Sequence, residues 1–292
     1  MSFSIVTDTS SNLPTPYLEK NAVSVVPFTF MYKGEECSCT NTETFDGVSY
    51  YKDIRNGERV TTSQIPPQRY IDYFEPLLKQ GQAIVYVGMS SGISGSFHSA
   101  EQAADHLREE YPECEIHLID TLAASWGEGL MVIRAIECRE KGMNAAETAE
   151  FLMKRRHCVY QAVCLDDLMY LHRGGRLPIT TAVFGTVLGI KPLLKGNSHG
   201  QFSSCGKVRG KKAGMEALAK KYISLAAHVE DQEIGIVYTD GKEDAQLLAE
   251  MIRKARPPKA IHVVCYEPMT GSHVGPGTVA LFFEGEEGVR EK

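Results

Sequence analysis

The chain has 292 residues, 43% hydrophobic and 23% charged, the profile of a soluble globular protein with room for two domains. Its formal charge of −6 gives nucleic acid and anionic membrane no electrostatic hold, and no apolar run approaches the roughly 18 residues of a spanning helix. The N-terminus lacks the basic region and apolar stretch of a signal peptide, so the sequence predicts a cytoplasmic protein with no stable membrane anchor.

In chain order, Ser4 to Val6 reads as a short strand ending in a hydroxyl-rich turn, Thr7 to Pro14, that opens a helix. Val23 to Val26 and Phe28 to Tyr32 follow as strands, with Lys33-Gly34-Glu35 as a turn, and Tyr50 to Arg55 as a helix. Tyr70, Phe74, Leu77 and Leu78 recur at helical spacing between Pro67 and Gln80, which places Thr62-Ser63-Gln64 in the loop feeding that helix. Next come a strand at Ala83 to Val87, a Ser/Gly loop, and a helix with Phe97, Ala100, Ala104 and Leu107 on one face. A strand at Glu115 to Ile119 and a helix ending near Cys138 complete the pattern. Strands alternating with helices predict an α/β domain over 1–158, its mostly parallel sheet flanked by helices, with ligands at the carboxyl ends of the strands.

The rhythm changes over 159–292, which reads as a second, α+β domain. Strands are expected at Val159 to Leu165, Leu188 to Leu194, Ile234 to Tyr238, Ile261 to Cys265 and Thr278 to Phe283. Helices are expected at Gly214 to Ile223 and Ala245 to Ile252.

Two hydroxyl clusters stand out, Thr61-Thr62-Ser63-Gln64 and the loop Ser90 to Ser96. Serines and glycines between a strand and a helix start offer hydroxyls, amides and a favourable dipole to an anion. Helix capping is the plainer reading of Thr62 and Ser63. Gly88-Met89-Ser90-Ser91-Gly92 also matches a nucleophile elbow, and Asp166 and His273 supply the order Ser, Asp, His. That allows a serine hydrolase acting on acyl esters through Ser90. Against it, the pattern is short, and hydroxyls repeat at Ser90, Ser91, Ser94 and Ser96 where a hydrolase needs one nucleophile.

His273, followed by Val-Gly-Pro-Gly, reads as a ring presented from a rigid turn. Lys207, Arg209, Lys211 and Lys212 form a basic cluster from which one Arg reaching inward would pair with a carboxylate. Arg173 and Arg176 flank Gly174-Gly175 on what reads as an exposed loop suited to a partner. The eight cysteines include no C-x-x-C pair, and Cys37-Ser38-Cys39 has no second pair at ligand spacing, so buried free thiols and no metal are expected. Neither nucleotide-binding glycine fingerprint occurs. An anion grip without machinery to activate a phosphate suits a binding protein better than a catalyst.

These motifs, taken jointly, resemble the DegV family of bacterial fatty-acid-binding proteins, which includes the acyl-carrying subunit of fatty acid kinase. The matching pieces begin with Val6 to Pro14, Thr62-Ser63-Gln64, Ser90 to Ala100, Ile119-Asp120-Thr121 and Ala124-Ser125-Trp126-Gly127. They continue with Leu165 to Leu168, Gly174-Gly175-Arg176, Ile190-Lys191-Pro192, Gly206 to Arg209 and His273 to Gly277. The resemblance implies a long-chain fatty acid in a buried lipid tunnel between two domains, with no other cofactor. It implies that Thr62 and Ser94 donate to the carboxylate, that His273 closes the site, and that Ser63 and Arg209 are further candidates. It also implies a partner, the fatty acid kinase catalytic subunit, which phosphorylates the bound acid and docks at Arg173 or Arg176. Trp126 and the bulky run Thr278 to Phe283 depart from the family's pattern.

Overall fold

The computed structural model describes residues 3–178 and 189–292, which divide into two units. One takes the chain up to Phe45 and then Thr61–Arg156; the other takes Asp46–Val60 and the chain from His157. The segment Asp46–Val60 therefore belongs to the second unit although it lies early in the chain.

The first unit starts with β1 (Phe3–Asp8), α1 (Thr15–Lys20), β2 (Val23–Val26), β3 (Thr29–Tyr32) and β4 (Glu35–Cys37). After α2 (Gly47–Arg55), a second-unit helix, it resumes with β5 (Thr61–Ser63), α3 (Pro67–Lys79), β6 (Ala83–Gly88) and α4 (Ser96–Glu110). It ends with β7 (Ile116–Asp120), α5 (Trp126–Glu140) and α6 (Ala145–Arg155). The main sheet has the order β2-β1-β6-β7 and is parallel throughout, as alternation predicts. Its central strands are apolar on both faces because helices cover both. Ile5 pairs with Val85 across β1 and β6, and both are fully buried. Tyr70 and Phe74 of α3 close over Tyr86 of β6, with ring centroids 5.3 and 5.7 Å away.

Two features of this unit depart from expectation. Thr62 and Ser63 lie on a strand, not a loop: β5 pairs antiparallel with β3, and β4 flanks β3 on its other side. Three Thr/Ser residues are too short a run for periodicity, yet β-branched threonines suit a strand at a sheet's edge. α6 went unforeseen, although Asn144 and Glu147 spell the capping box that starts it.

The second unit contains β8 (Val159–Cys164), α7 (Met169–Arg173), β9 (Ile190–Gly196), β10 (Phe202–Arg209) and α8 (Lys211–Leu225). β11 (Glu233–Tyr238), α9 (Lys242–Ala255), β12 (Ala260–Cys265), α10 (Pro268–Val274) and β13 (Val279–Glu284) follow. Leu188, the first residue of one expected strand, lies outside the described residues. The sheet order is β10-β9-β8-β13-β11-β12, and only β11 and β12 run parallel, joined through α9. β13 is buried along its whole length between β8 and β11, which accounts for its bulk. Phe283 sits opposite Tyr160 and meets Tyr222 edge-on, with centroids 5.2 and 5.3 Å apart. β10 was missed because a bulge between Ser204 and Gly206 breaks its alternation.

No helix among the described residues is long and apolar enough to cross a membrane. All eight cysteines are free, but only Cys138, Cys158 and Cys164 are buried; the expectation of burial fails for the other five, which are half-buried.

Candidate functional site

β1 and β6 are neighbours, yet the chain leaves β1 toward β2 on one side and reaches β6 on the other. Where strand order reverses in this way, the loops after the two strands part and leave a crevice at the sheet's carboxyl edge. Residues 9–12 and 89–95 form those loops, and Thr9, Ser10, Ser11, Ser90 and Ser94 in them are buried.

The second loop is held from β7. Asp120 accepts from the Ser91 amide at 3.2 Å and the Ser91 hydroxyl at 2.6 Å, while the Thr121 hydroxyl donates to the Gly88 carbonyl at 2.8 Å. Ser90 has no exposed surface, and its Oγ accepts from the Gly92 amide at 3.1 Å. In the second unit, Asp166 is taken by Lys191 at 2.7 Å and Lys211 at 2.6 Å. An exposed nucleophile and a carboxylate free for histidine are what a triad requires. Neither Ser90 nor Asp166 is placed that way.

Ser94 donates to Ser96 Oγ at 3.0 Å and accepts from the Ser96 amide at 3.2 Å. Ser96 Oγ in turn accepts from the Ile65 amide at 3.0 Å, and the Gln64 side-chain amide donates to Ser99 at 3.3 Å. The residues just after β5 are thus stitched to the Ser/Gly loop. Gly95 is where they pass closest, since a β-carbon there would overlap the Gln64 amide. Thr62 is half-buried whereas Ser63, facing the opposite way along the strand, is exposed.

Beneath the loop lies a polar cluster that the sequence reading missed. Asp8 and Glu128 are both fully buried. Asp8 Oδ1 accepts from the Ser10 amide at 2.9 Å and the Ser10 hydroxyl at 2.5 Å; Oδ2 accepts from Tyr86 at 2.9 Å and the Met89 amide at 3.4 Å. Glu128 touches the Asp8 carboxyl and two hydroxyls, Ser10 through one oxygen and Thr7, at 3.0 Å, through the other. Burial, reinforced by the Asp8 charge, pushes the Glu128 carboxyl well above the usual range. Burial also raises Asp8, but its hydrogen bonds from Ser10, Tyr86 and Met89 pull the other way. The signal in the sequence was Glu128 itself, a charge inside the otherwise apolar start of α5.

In the second unit, His273 lies in the last turn of α10 rather than on a turn loop. Glu267 caps this helix, accepting from the Met269 amide at 2.7 Å, and Tyr50 and Tyr51 of α2 donate to the carbonyls of Pro268 and Tyr266 at 2.9 and 2.8 Å. The ring rests on Gly174, where a β-carbon would overlap it. Burial, then the Arg176 charge, lowers His273 to about 4. A group with a depressed native pKa stabilises the fold above its unfolded pKa of 6.5, and this is lost as pH falls toward 4. The wild-type chain is therefore expected to lose about 2–3 kcal/mol from this group between pH 7 and pH 4, a loss absent from His273→Gln in urea titrations at the two pH values.

Arg173 is exposed and stacks on Tyr170, 4.6 Å from the ring centre. Arg176 is half-buried and donates to the Gly174 carbonyl. Arg209 ends the exposed strand β10 opposite Ile190; the basic groups that reach a carboxylate are Lys191 and Lys211 instead. Among the described residues, no group of three or more His, Cys, Asp or Glu could hold a metal ion.

A family profile described as "Uncharacterised protein, DegV family" matches residues 2–286. A DegV domain-containing protein of Clostridium perfringens is 33% identical over 291 residues, covering 97% of this chain and 98% of its own. A Thermus thermophilus DegV family protein, its structure described by fatty acid binding, superposes with a TM-score of 0.87 at 27% identity, covering 98% of this chain and 100% of its own. A fatty acid binding DegV family protein of Streptococcus agalactiae gives 0.85 at 26% identity, with 98% and 99% covered.

Proposed function

The chain belongs to the DegV family, and from that membership we propose that it binds a long-chain fatty acid, with Ser94 and Thr62 donating to the carboxylate. The observation that carries this reading is the convergence of the buried Ser94 loop with the strand bearing Thr62 at the sheet's reversal point. The relatives described as fatty-acid-binding support it. Burying a carboxylate costs several kcal/mol unless hydroxyls or amides replace its water. Each methylene withdrawn from water returns roughly 0.8 kcal/mol, so a long chain binds tightly without catalysis. His273, neutral at ordinary pH, serves as a hydrogen-bonding group for the ligand and adds no charge. Ser63 and Arg209, both exposed, have lesser claims.

The finer part of the proposal is that the carboxylate is presented to a partner kinase, which forms the acyl phosphate. Arg173, exposed and braced on Tyr170, is the docking residue this favours; Arg176 is engaged within its own unit.

The test is mass spectrometry of lipid extracted from the purified chain, followed by titration with oleate. A copurifying long-chain acid is expected, and Ser94→Ala and Thr62→Ala should each raise Kd about 10- to 100-fold, the usual worth of a hydrogen bond to a charged group. Absence of lipid, with no oleate binding, would sink the reading. Incubating the loaded chain with ATP and a bacterial fatty acid kinase should give hydroxylamine-trappable acyl phosphate.

A further inference from the structure

The Ser94 hydroxyl is the outer end of a buried chain of hydroxyls whose inner end is Asp8. Ser94 contacts Ser96 at 3.0 Å, Ser96 hydrogen-bonds the Tyr70 phenol, Tyr70 contacts Tyr86 at 2.9 Å, and Tyr86 contacts Asp8 Oδ2 at 2.9 Å. Every member is buried. Each hydroxyl carries one hydrogen, so counting hydrogens fixes the direction of the chain.

The count starts at the two carboxyls. Asp8 meets four donors, two of them backbone amides, which suits an ionised carboxylate. Glu128 meets the hydroxyls of Ser10 and Thr7 and the Asp8 carboxyl itself. Two carboxyls in contact away from water share one proton. That hydrogen sits on Glu128, whose other partners are hydroxyls, and leaves the charge on Asp8 with its two backbone amides.

An anion at Asp8 takes the Tyr86 hydrogen. Tyr70 must then donate to Tyr86, Ser96 to Tyr70, and Ser94 to Ser96. We propose that Asp8 is a positioning residue which, through Tyr86, Tyr70 and Ser96, turns the Ser94 hydrogen inward and so weakens this site's grip on an anionic head group. A ligand carboxylate must pull that hydrogen outward against the relay, so the acid is held less tightly than by a free serine. Such a setting suits a carrier that has to let go. The proposal rests on the fatty-acid reading for its ligand.

Removing the Tyr70 hydroxyl leaves Ser96 with Ser94 as its acceptor, which reverses that last link and frees the Ser94 hydrogen. Tyr70→Phe is therefore expected to lower the Kd for oleate about fivefold, one ordinary hydrogen bond's worth. Tyr86→Phe cuts the relay one step further in and is expected to shift Kd in the same direction, so either variant carries the test if the other folds poorly. In a Ser94→Ala background both effects should vanish, which a purely structural role for the tyrosines would not produce. Unchanged or weakened oleate binding in the tyrosine variants, or an equal shift with and without Ser94, overturns the relay. If the wild-type chain binds no oleate, the fatty-acid reading fails and takes the relay's ligand with it. If the wild type binds and Ser94→Ala weakens binding while the tyrosine variants change nothing, the relay alone fails.

Discussion

Asp8→Ala is expected to cost about 3–5 kcal/mol of stability in urea unfolding at pH 7, among the larger losses available to one substitution here. The reason lies in what Asp8 serves: the Ser10 amide and hydroxyl, the Tyr86 phenol and the Met89 amide all point at it. These donors belong to the loop after β1, to β6 and to the loop after β6, so the substitution strands them together, away from water. Glu128→Gln is the contrasting case. An amide can donate to Asp8 and accept from Thr7 as the protonated acid does, so little is lost. The sign of its pH dependence follows from burial. Because Glu128 titrates well above its usual 4.5 in the folded chain, the native state holds a proton that the unfolded chain releases. Native stability therefore drains away as pH climbs above about 4.5. Glu128→Gln escapes that drain, and its advantage over wild type should grow between pH 5 and pH 8.

Gly129→Ala is expected to destabilise the first unit by about 2–3 kcal/mol despite alanine's better helix propensity. A β-carbon at Gly129 would stand 2.7 Å from the Ser11 carbonyl oxygen and 3.1 Å from the Leu13 side chain. The carbonyl is backbone and cannot swing aside, so the loop after β1 must lift off α5. Propensity favours the alanine by about 1 kcal/mol, which the overlap outweighs. Calorimetry should show a lowered Tm. Ser10 sits on the displaced loop, so the Asp8–Glu128 contact should loosen too.

The parallel sheet was legible because β1, β6 and β7 are apolar runs separated by helical periods, and that pattern has no other comfortable solution. The same topology parts the loops after β1 and β6 at the sheet's carboxyl edge. Only the resemblance proposes Ser94 and Thr62 as ligand residues, since a serine before a helix usually caps it, and Ser94 does receive the Ser96 amide here. Asp8 was hidden among turn-forming residues. Its partner Glu128 lies more than a hundred residues away, and no local pattern links them. His273 was misplaced because the glycines after it signal a turn, whereas the capping signal Glu267-Pro268 that starts its helix lies upstream. β5 escaped for the opposite reason: its order comes from its neighbouring strand, not from its own composition.

β13 comes later in the chain than every strand of its sheet, yet it occupies the middle. Until residues 279–284 leave the ribosome, β10-β9-β8 and β11-β12 are two separate pieces, each with an open edge where β13 belongs. Closure of this sheet is a single late, long-range event, the kind of step that sets folding rate more than final stability. During synthesis those two open edges are the part of the molecule most exposed to mispairing with another chain.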